Sequence, residues 1–161
     1  MADSQLGRAA AVSFDKLPKR DRELLQKARA MVQRAYAPYS RFGVGAAVRT
    51  TSGAVFAGTN MENAAYAVTL CAETSALQQS LAAGDFKVEA IAVVGSPLDG
   101  DGGREIVTPC GRCRQLIFEA AQVSGKDVRV LSANADLSKI LVLPISALLP
   151  HGFGPKNLRR T

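Results

Sequence analysis

Three cysteines and one glutamate carry the chemistry this sequence could do. Cys71 stands two residues ahead of Glu73 in Cys-Ala-Glu, and Cys110 and Cys113 belong to Pro109-Cys110-Gly111-Arg112-Cys113. These are all the cysteines the chain has. A hydrolytic zinc site keeps three protein ligands and leaves the fourth position to water, whereas a structural site is usually closed by four. There is no fourth cysteine, and the single histidine, His151, lies in a Pro-His-Gly stretch near the end. Taken singly, each cysteine reads as a small buried hydrophobe. Taken with Glu73, the set reads as one zinc ion per subunit on Cys71, Cys110 and Cys113, with Glu73 handling the proton of a bound water.

The elements that must position these residues are legible in part. Pro109 suits the first turn of a helix and Thr108 the cap before it. Cys110 and Cys113 then fall on one helical face, and Cys71 opens another helix. Two helix N-termini, each with a partial positive charge, would favour thiolate over thiol.

Taking the chain in order, residues 1–13 read as a loose arm and residues 14–161 as a single domain. A helix from about Pro18 carries Leu24, Ala28, Met31 and Ala35 at helical spacing and ends before Pro38. Strands follow at Val44 to Thr50 and Ala54 to Gly58, with Gly43 and Gly45 permitting close backbone approach. After the polar loop Asn60 to Asn63, the Cys71 helix presents Leu70, Thr74, Leu77 and Leu81 on one face and stops at Gly84. Val88 to Val94 is a buried strand, and Ser96 to Gly103 an exposed loop. The Cys113 helix is followed by strands Val128 to Leu131 and Ile140 to Leu143 and a short helix at Ile145 to Leu149. Strands alternating with helices argue an α/β layered fold around a mixed sheet.

The bulk properties narrow the classes. A chain of 161 residues, 47% hydrophobic, suits one domain with a full core. No apolar run is long enough to span a bilayer, and the first residues lack the pattern of a secretory signal. Reduced cysteines fit the cytoplasm. The net charge of +6 is spread along the chain with no dense basic run and no tryptophan, so a solvated surface is expected rather than a nucleic-acid partner.

Several separate motifs resemble those of the small zinc-dependent cytidine deaminases of the homotetrameric type. They are Pro38-Tyr39-Ser40, Phe42-x-Val44-Gly45-Ala46-Ala47, Asn60-x-Glu62-Asn63-Ala64, Cys71-Ala72-Glu73, Pro109-Cys110-Gly111-x-Cys113-Arg114-Gln115, and Leu148-Leu149-Pro150 before Phe153-Gly154-Pro155. The resemblance runs from about Leu24 to Leu158. It implies a three-layer α/β/α fold with a mixed five-stranded sheet flanked by helices, and a homotetramer with sites at subunit contacts. It implies hydrolytic deamination of cytidine and 2′-deoxycytidine by a zinc-activated water, with Glu73 as proton shuttle, in pyrimidine salvage. It further implies Asn60 and Glu62 as ribose anchors, Phe42 and a neighbouring subunit's Phe153 as walls for the pyrimidine, Ala72 at the substrate, and Tyr66 at the subunit contact. This sequence departs from the family at Thr74, where an arginine commonly offsets the thiolate charge. Arg112 or Arg114 is the expected substitute. The alternatives are a related aminopyrimidine deaminase such as one acting on blasticidin S, a nucleic-acid editing deaminase, and a non-catalytic zinc-binding module.

Overall fold

The computed structural model describes residues 11–100 and 102–158. Five strands, β1 (Phe42–Thr50), β2 (Val55–Thr59), β3 (Val88–Pro97), β4 (Arg129–Ala133) and β5 (Ile140–Pro144), form one sheet in the order β2-β1-β3-β4-β5. The β3–β4 pair is parallel and the other three pairs are antiparallel, so the sheet is mixed. Helix α1 (Lys19–Val32) covers one face, and α2 (Ala72–Ala82) and α3 (Gly111–Ser124) cover the other. This is the three-layer arrangement the sequence suggests. Short helices α4 (Ile145–Leu148) and α5 (Pro155–Leu158) are the last elements among the described residues. Of the arm expected over residues 1–13, residues 1–10 lie outside the described residues, while Val12 N–H already bonds to Ile140 O at 2.7 Å.

Strand alternation sorts the core into two layers. Ala47, Ala90, Ala92 and Val94 face Leu24, Leu25, Ala28 and Val32 of α1. Ala46, Val48, Ile91 and Val93 face Ala72, Ala76 and Leu77 of α2 and Ile117 and Ala120 of α3. Small residues bring the helices down onto the sheet. A Cβ on Gly45 would lie 1.9 Å from the backbone oxygen of Ala28, and one on Gly58 would lie 2.5 Å from Ala76 N.

That close approach sets which side of α2 is buried. Thr74, Leu77 and Leu81 share a face, as their spacing implies, and line one groove, whereas Leu70 precedes the helix. The residues inside are Ala72, Glu73, Ala76, Leu77 and Ser80, and Leu81 is 50% exposed. Backbone contact over Gly58 is made by Ala72 and Ala76, with Leu77 and Glu73 buried beside them. A correction concerns α3. It begins at Gly111 with Cys110 as N-cap, so Pro109 precedes the helix rather than opening it, and Thr108 is not the cap. The Thr108 hydroxyl instead accepts from Arg114 Nη2 at 3.3 Å. The third helix ends where Gly125 takes φ +65, a left-handed stop that glycine adopts without strain.

At the end of the sheet away from the cysteines, a buried ionic cluster pins α1. Asp21, fully buried, accepts from Arg49 Nη2 at 2.9 Å. Arg129 Nη2 stands 2.8 Å from its other oxygen, an ion pair whose angle lies outside hydrogen-bond geometry. Glu89 pairs with both Arg49 and Arg20.

Gly45→Ala therefore tests the α1–β1 contact. Because the obstructing atom is backbone, the substitution is expected to destabilise the protein by about 3 kcal/mol or more, read as a lower urea midpoint with an unchanged slope.

Candidate metal centre and active site

Strand direction brings the cysteines together. Strands β2 and β3 both run antiparallel to β1, so their C-terminal ends lie on one side of the sheet. Helix α2 follows β2 and α3 follows β3 on the same face, and their N-termini meet there. Each helix has a cysteine at the N-cap in extended backbone, Cys71 (φ −76, ψ 154) and Cys110 (φ −67, ψ 167). Neither side chain caps its own helix, although an N-cap normally favours Ser, Thr, Asp or Asn for that purpose. The caps are spent on sulfur instead. Cys113 adds a third sulfur from the first turn of α3.

The three Sγ atoms lie within 4.8 Å of one another, and Cys71 and Cys110 are 3.9 Å apart. Tetrahedral zinc with bonds of about 2.3 Å to sulfur separates its ligands by roughly 3.8 Å. The donor set and its spacing thus fit zinc. The sulfurs differ in surroundings: Cys113 is buried, Cys71 half-buried and Cys110 exposed. The Cys113 thiol, hydrogen-bonded to the Cys71 sulfur, lowers the Cys71 pKa to about 6, helped by Cys110 and by the charge of Arg112, against the opposing effect of burial. That same bond, together with burial and the charge of Glu73, drives the Cys113 pKa far up. The Cys71–Cys113 pair therefore holds one negative charge more readily than two.

Glu73, in the first turn of α2, is 4% exposed. Burial raises its pKa above the usual carboxylate range, and the Cys71 thiolate adds to this. It lines a cavity of about 240 Å³ with Cys71, Cys110, Ala72, Asn60 and Glu62, closed by Val44, Val107 and Thr108. The Asn60 amide is already engaged: its Oδ1 accepts from Val44 N at 2.8 Å and its Nδ2 donates to Phe42 O at 3.0 Å. Glu62 Oε2 accepts from Tyr39 N at 2.8 Å and Ser40 N at 3.2 Å. The Ser40 hydroxyl and these N–H groups keep its carboxyl below the usual range.

The remaining expected residues lie around this cavity or away from it. Phe42 packs over Gly95 beside Val107, where a Cβ on Gly95 would fall 2.8 Å from each side chain. Tyr66 is exposed and meets the Tyr39 ring edge-on at 5.8 Å. Phe153 is exposed and does not line the cavity. Thr74 points away from the sulfurs. It lines an apolar groove with Leu77, Leu81, Phe86 and Leu116, and its buried hydroxyl has no partner. Arg112 Nη1 donates to Thr69 O at 3.4 Å, near Cys71. Arg114 is committed elsewhere, donating to Pro109 O, Leu148 O and Thr108 Oγ1. Sequence reasoning missed Val107, Thr108 and Thr69 as cavity walls, because nothing local marks residues that only the sheet edge assembles. The Ser40 role had a signal in the Pro-Tyr-Ser segment but no partner to read it against.

A three-layer α/β/α domain that brings a cluster of cysteine sulfurs and a buried carboxylate to paired helix N-termini is a zinc-dependent hydrolytic deaminase. The chain belongs to the cytidine and deoxycytidylate deaminase family, whose zinc-binding region matches residues 18–126. It is 39% identical to the cytidine deaminase of Halalkalibacterium halodurans over 139 residues, 86% of this chain and 98% of that one. With the cytidine deaminase of Sporosarcina psychrophila it shares 35% identity over 136 residues, 84% of this chain and 93% of that one. The crystal structure of cytidine deaminase from Burkholderia pseudomallei matches with a TM-score of 0.72 at 40% identity, covering 81% of this chain and 97% of that one. That of the Mycobacterium tuberculosis enzyme matches with a TM-score of 0.64 at 32% identity, covering 82% and 95%.

In the metal-free protein, Cys71 is expected to be alkylated by iodoacetamide with a half-maximal rate near pH 6, read by peptide mass mapping. A lowered thiol pKa means that thiolate is present above that pH and lost below it. Removing a lowering charge with Arg112→Ala should move the midpoint upward.

Proposed function

We propose that the chain deaminates cytidine and 2′-deoxycytidine to uridine and 2′-deoxyuridine with release of ammonia, as a single catalytic domain over residues 14–161. The single observation that carries this is the buried Glu73 carboxyl sharing one cavity with the Cys71 and Cys110 sulfurs. Cys71, Cys110 and Cys113 would hold zinc, which when bound polarises water and brings its pKa to about 7. Glu73 accepts a proton from the attacking water and delivers protons to ring N3 and to the departing amine. One carboxyl serves both because attack and departure occur at the same ring carbon, whose attached oxygen, N3 and amine all lie within its hydrogen-bond reach. Its raised pKa suits a group that must both take and give a proton.

Asn60 has one amide N–H uncommitted after its bonds to Val44 and Phe42, and this N–H meets the ribose hydroxyl. Glu62, with one oxygen held by backbone N–H groups, offers the other as acceptor and repels a phosphate. Ala72 lies at the cavity floor, and Phe42 and Phe153 flank the pyrimidine. Arg112, rather than Arg114, takes over the charge compensation that Thr74 does not provide. Its influence on Cys71 supports this, and the commitment of Arg114 to carbonyl and hydroxyl oxygens argues against the alternative.

The assembly is a homotetramer in the cytoplasm, serving pyrimidine salvage. Exposed Tyr39, Met61, Tyr66 and Val68 support the tetramer by placing apolar side chains on and next to the loop that walls the cavity. Tyr66 and Phe153 then reach a neighbouring copy. No helix among the described residues is long and apolar enough to cross a membrane.

Glu73→Gln should retain zinc and lose activity by about 10²- to 10⁴-fold, read by metal analysis and ammonia release. A zinc-binding scaffold would show no turnover to lose. In a parallel spectral assay, cytidine and 2′-deoxycytidine should turn over while blasticidin S and cytidine 5′-monophosphate do not. Comparable rates on the monophosphate would remove the role given to Glu62.

A further inference from the structure

Phe153 is 58% exposed, so no core packing fixes it, yet the backbone beneath it is held largely by α3. Gln115 Nε2 donates to Phe153 O at 2.8 Å. The flanking glycines lie flat against Phe118: a Cβ would fall 3.1 Å from its ring at Gly152 and 2.9 Å at Gly154. The Gly154 N–H donates to Asn157 Oδ1 at 2.8 Å. Where this hook begins, Arg114 Nη1 donates to Leu148 O at 3.2 Å while its Nε donates to Pro109 O at 2.8 Å, the residue before Cys110. Arg114, Gln115 and Phe118 all belong to α3, the helix capped by Cys110 and carrying Cys113.

We infer that Gln115 is a positioning residue that presents Phe153, and that α3 joins the metal ligands of a copy and the aromatic wall it offers to the next copy into one rigid body. The inference rests on the reading of Phe153 given above. With its carbonyl pinned, Phe153 keeps only its side-chain torsions, so little freedom is lost when it meets a flat ring. The Gln115 bond acts before the chemical step and contributes equally to ground and transition states. Its loss therefore raises KM and leaves kcat in place.

The test uses the full-length, zinc-loaded protein with Gln115→Ala, Gln115→Glu, Phe153→Ala and the combined Gln115→Ala/Phe153→Ala. Gln115→Glu keeps the length of the side chain but sets a carboxylate against the Phe153 carbonyl in place of the donor, so its effect should be no smaller than that of Gln115→Ala. Both Gln115 variants should raise KM for cytidine by about three- to tenfold, the worth of one hydrogen bond, with kcat and zinc content retained. The combined variant should be no worse than Phe153→Ala alone. If Phe153→Ala raises KM and the Gln115 variants do not, or if they act by losing zinc, the positioning role is overturned. If Phe153→Ala itself leaves KM unchanged, the reading of Phe153 fails and this inference falls with it.

Discussion

The structure depends on the meeting of two helix N-termini at one edge of the sheet. That meeting follows from strand direction alone: β2 and β3 share a direction because each opposes β1. The helices after them return over the same face, and their first turns converge. Positive ends of two macrodipoles would repel if nothing negative lay between them. The Cys71 thiolate supplies that charge at one N-cap, and zinc in turn would permit more than one sulfur to be ionised. Fold and metal chemistry thus reinforce one another at a single place.

The same constraint explains the economy of the surrounding core. Helices that must deliver three sulfurs within 4.8 Å of one another need close contact with the sheet. Glycine at positions 45 and 58 and alanine at 47, 76, 90 and 92 provide it. The closeness sets which face of α2 is buried, and it carries Glu73 inward with Ala72 and Ala76. A carboxyl held there has its pKa raised by burial, which is the property that proton transfer at neutral pH requires. The opposite end of the sheet has its own fixation, through Asp21 and its arginine partners, so α1 is tied down independently of the metal.

Polar groups around the cavity are used twice. Asn60 bridges Val44 and Phe42 while facing the cavity, and Glu62 takes two backbone N–H groups while lining the same space. Side chains that buttress a strand entrance are thereby immobilised at no extra entropic cost when a ligand arrives. Arg114 similarly links the segment before Cys110 to the C-terminal hook.

How much of this was legible beforehand follows from range. Cys71, Glu73, Cys110 and Cys113 could be picked out because Cys-Ala-Glu and Pro-Cys-Gly-Arg-Cys are short motifs that resemble those of a known class, whereas the meeting of the two motifs is decided by strand direction. The order of strands and helices was likewise readable from local periodicity and turn residues. Leu81 shares a face with Thr74 and Leu77 as its spacing implies, but helical spacing says nothing about which face meets the sheet, and Leu81 stays half exposed. Thr108 misled because cap preference competes with a tertiary partner, Arg114. The burial of Asp21 against Arg49 and Arg129, the clamp made by Asn60, and the pinning of Phe153 by Gln115 join residues dozens of positions apart. Contacts of that span have no local signature, and only the folded chain decides them.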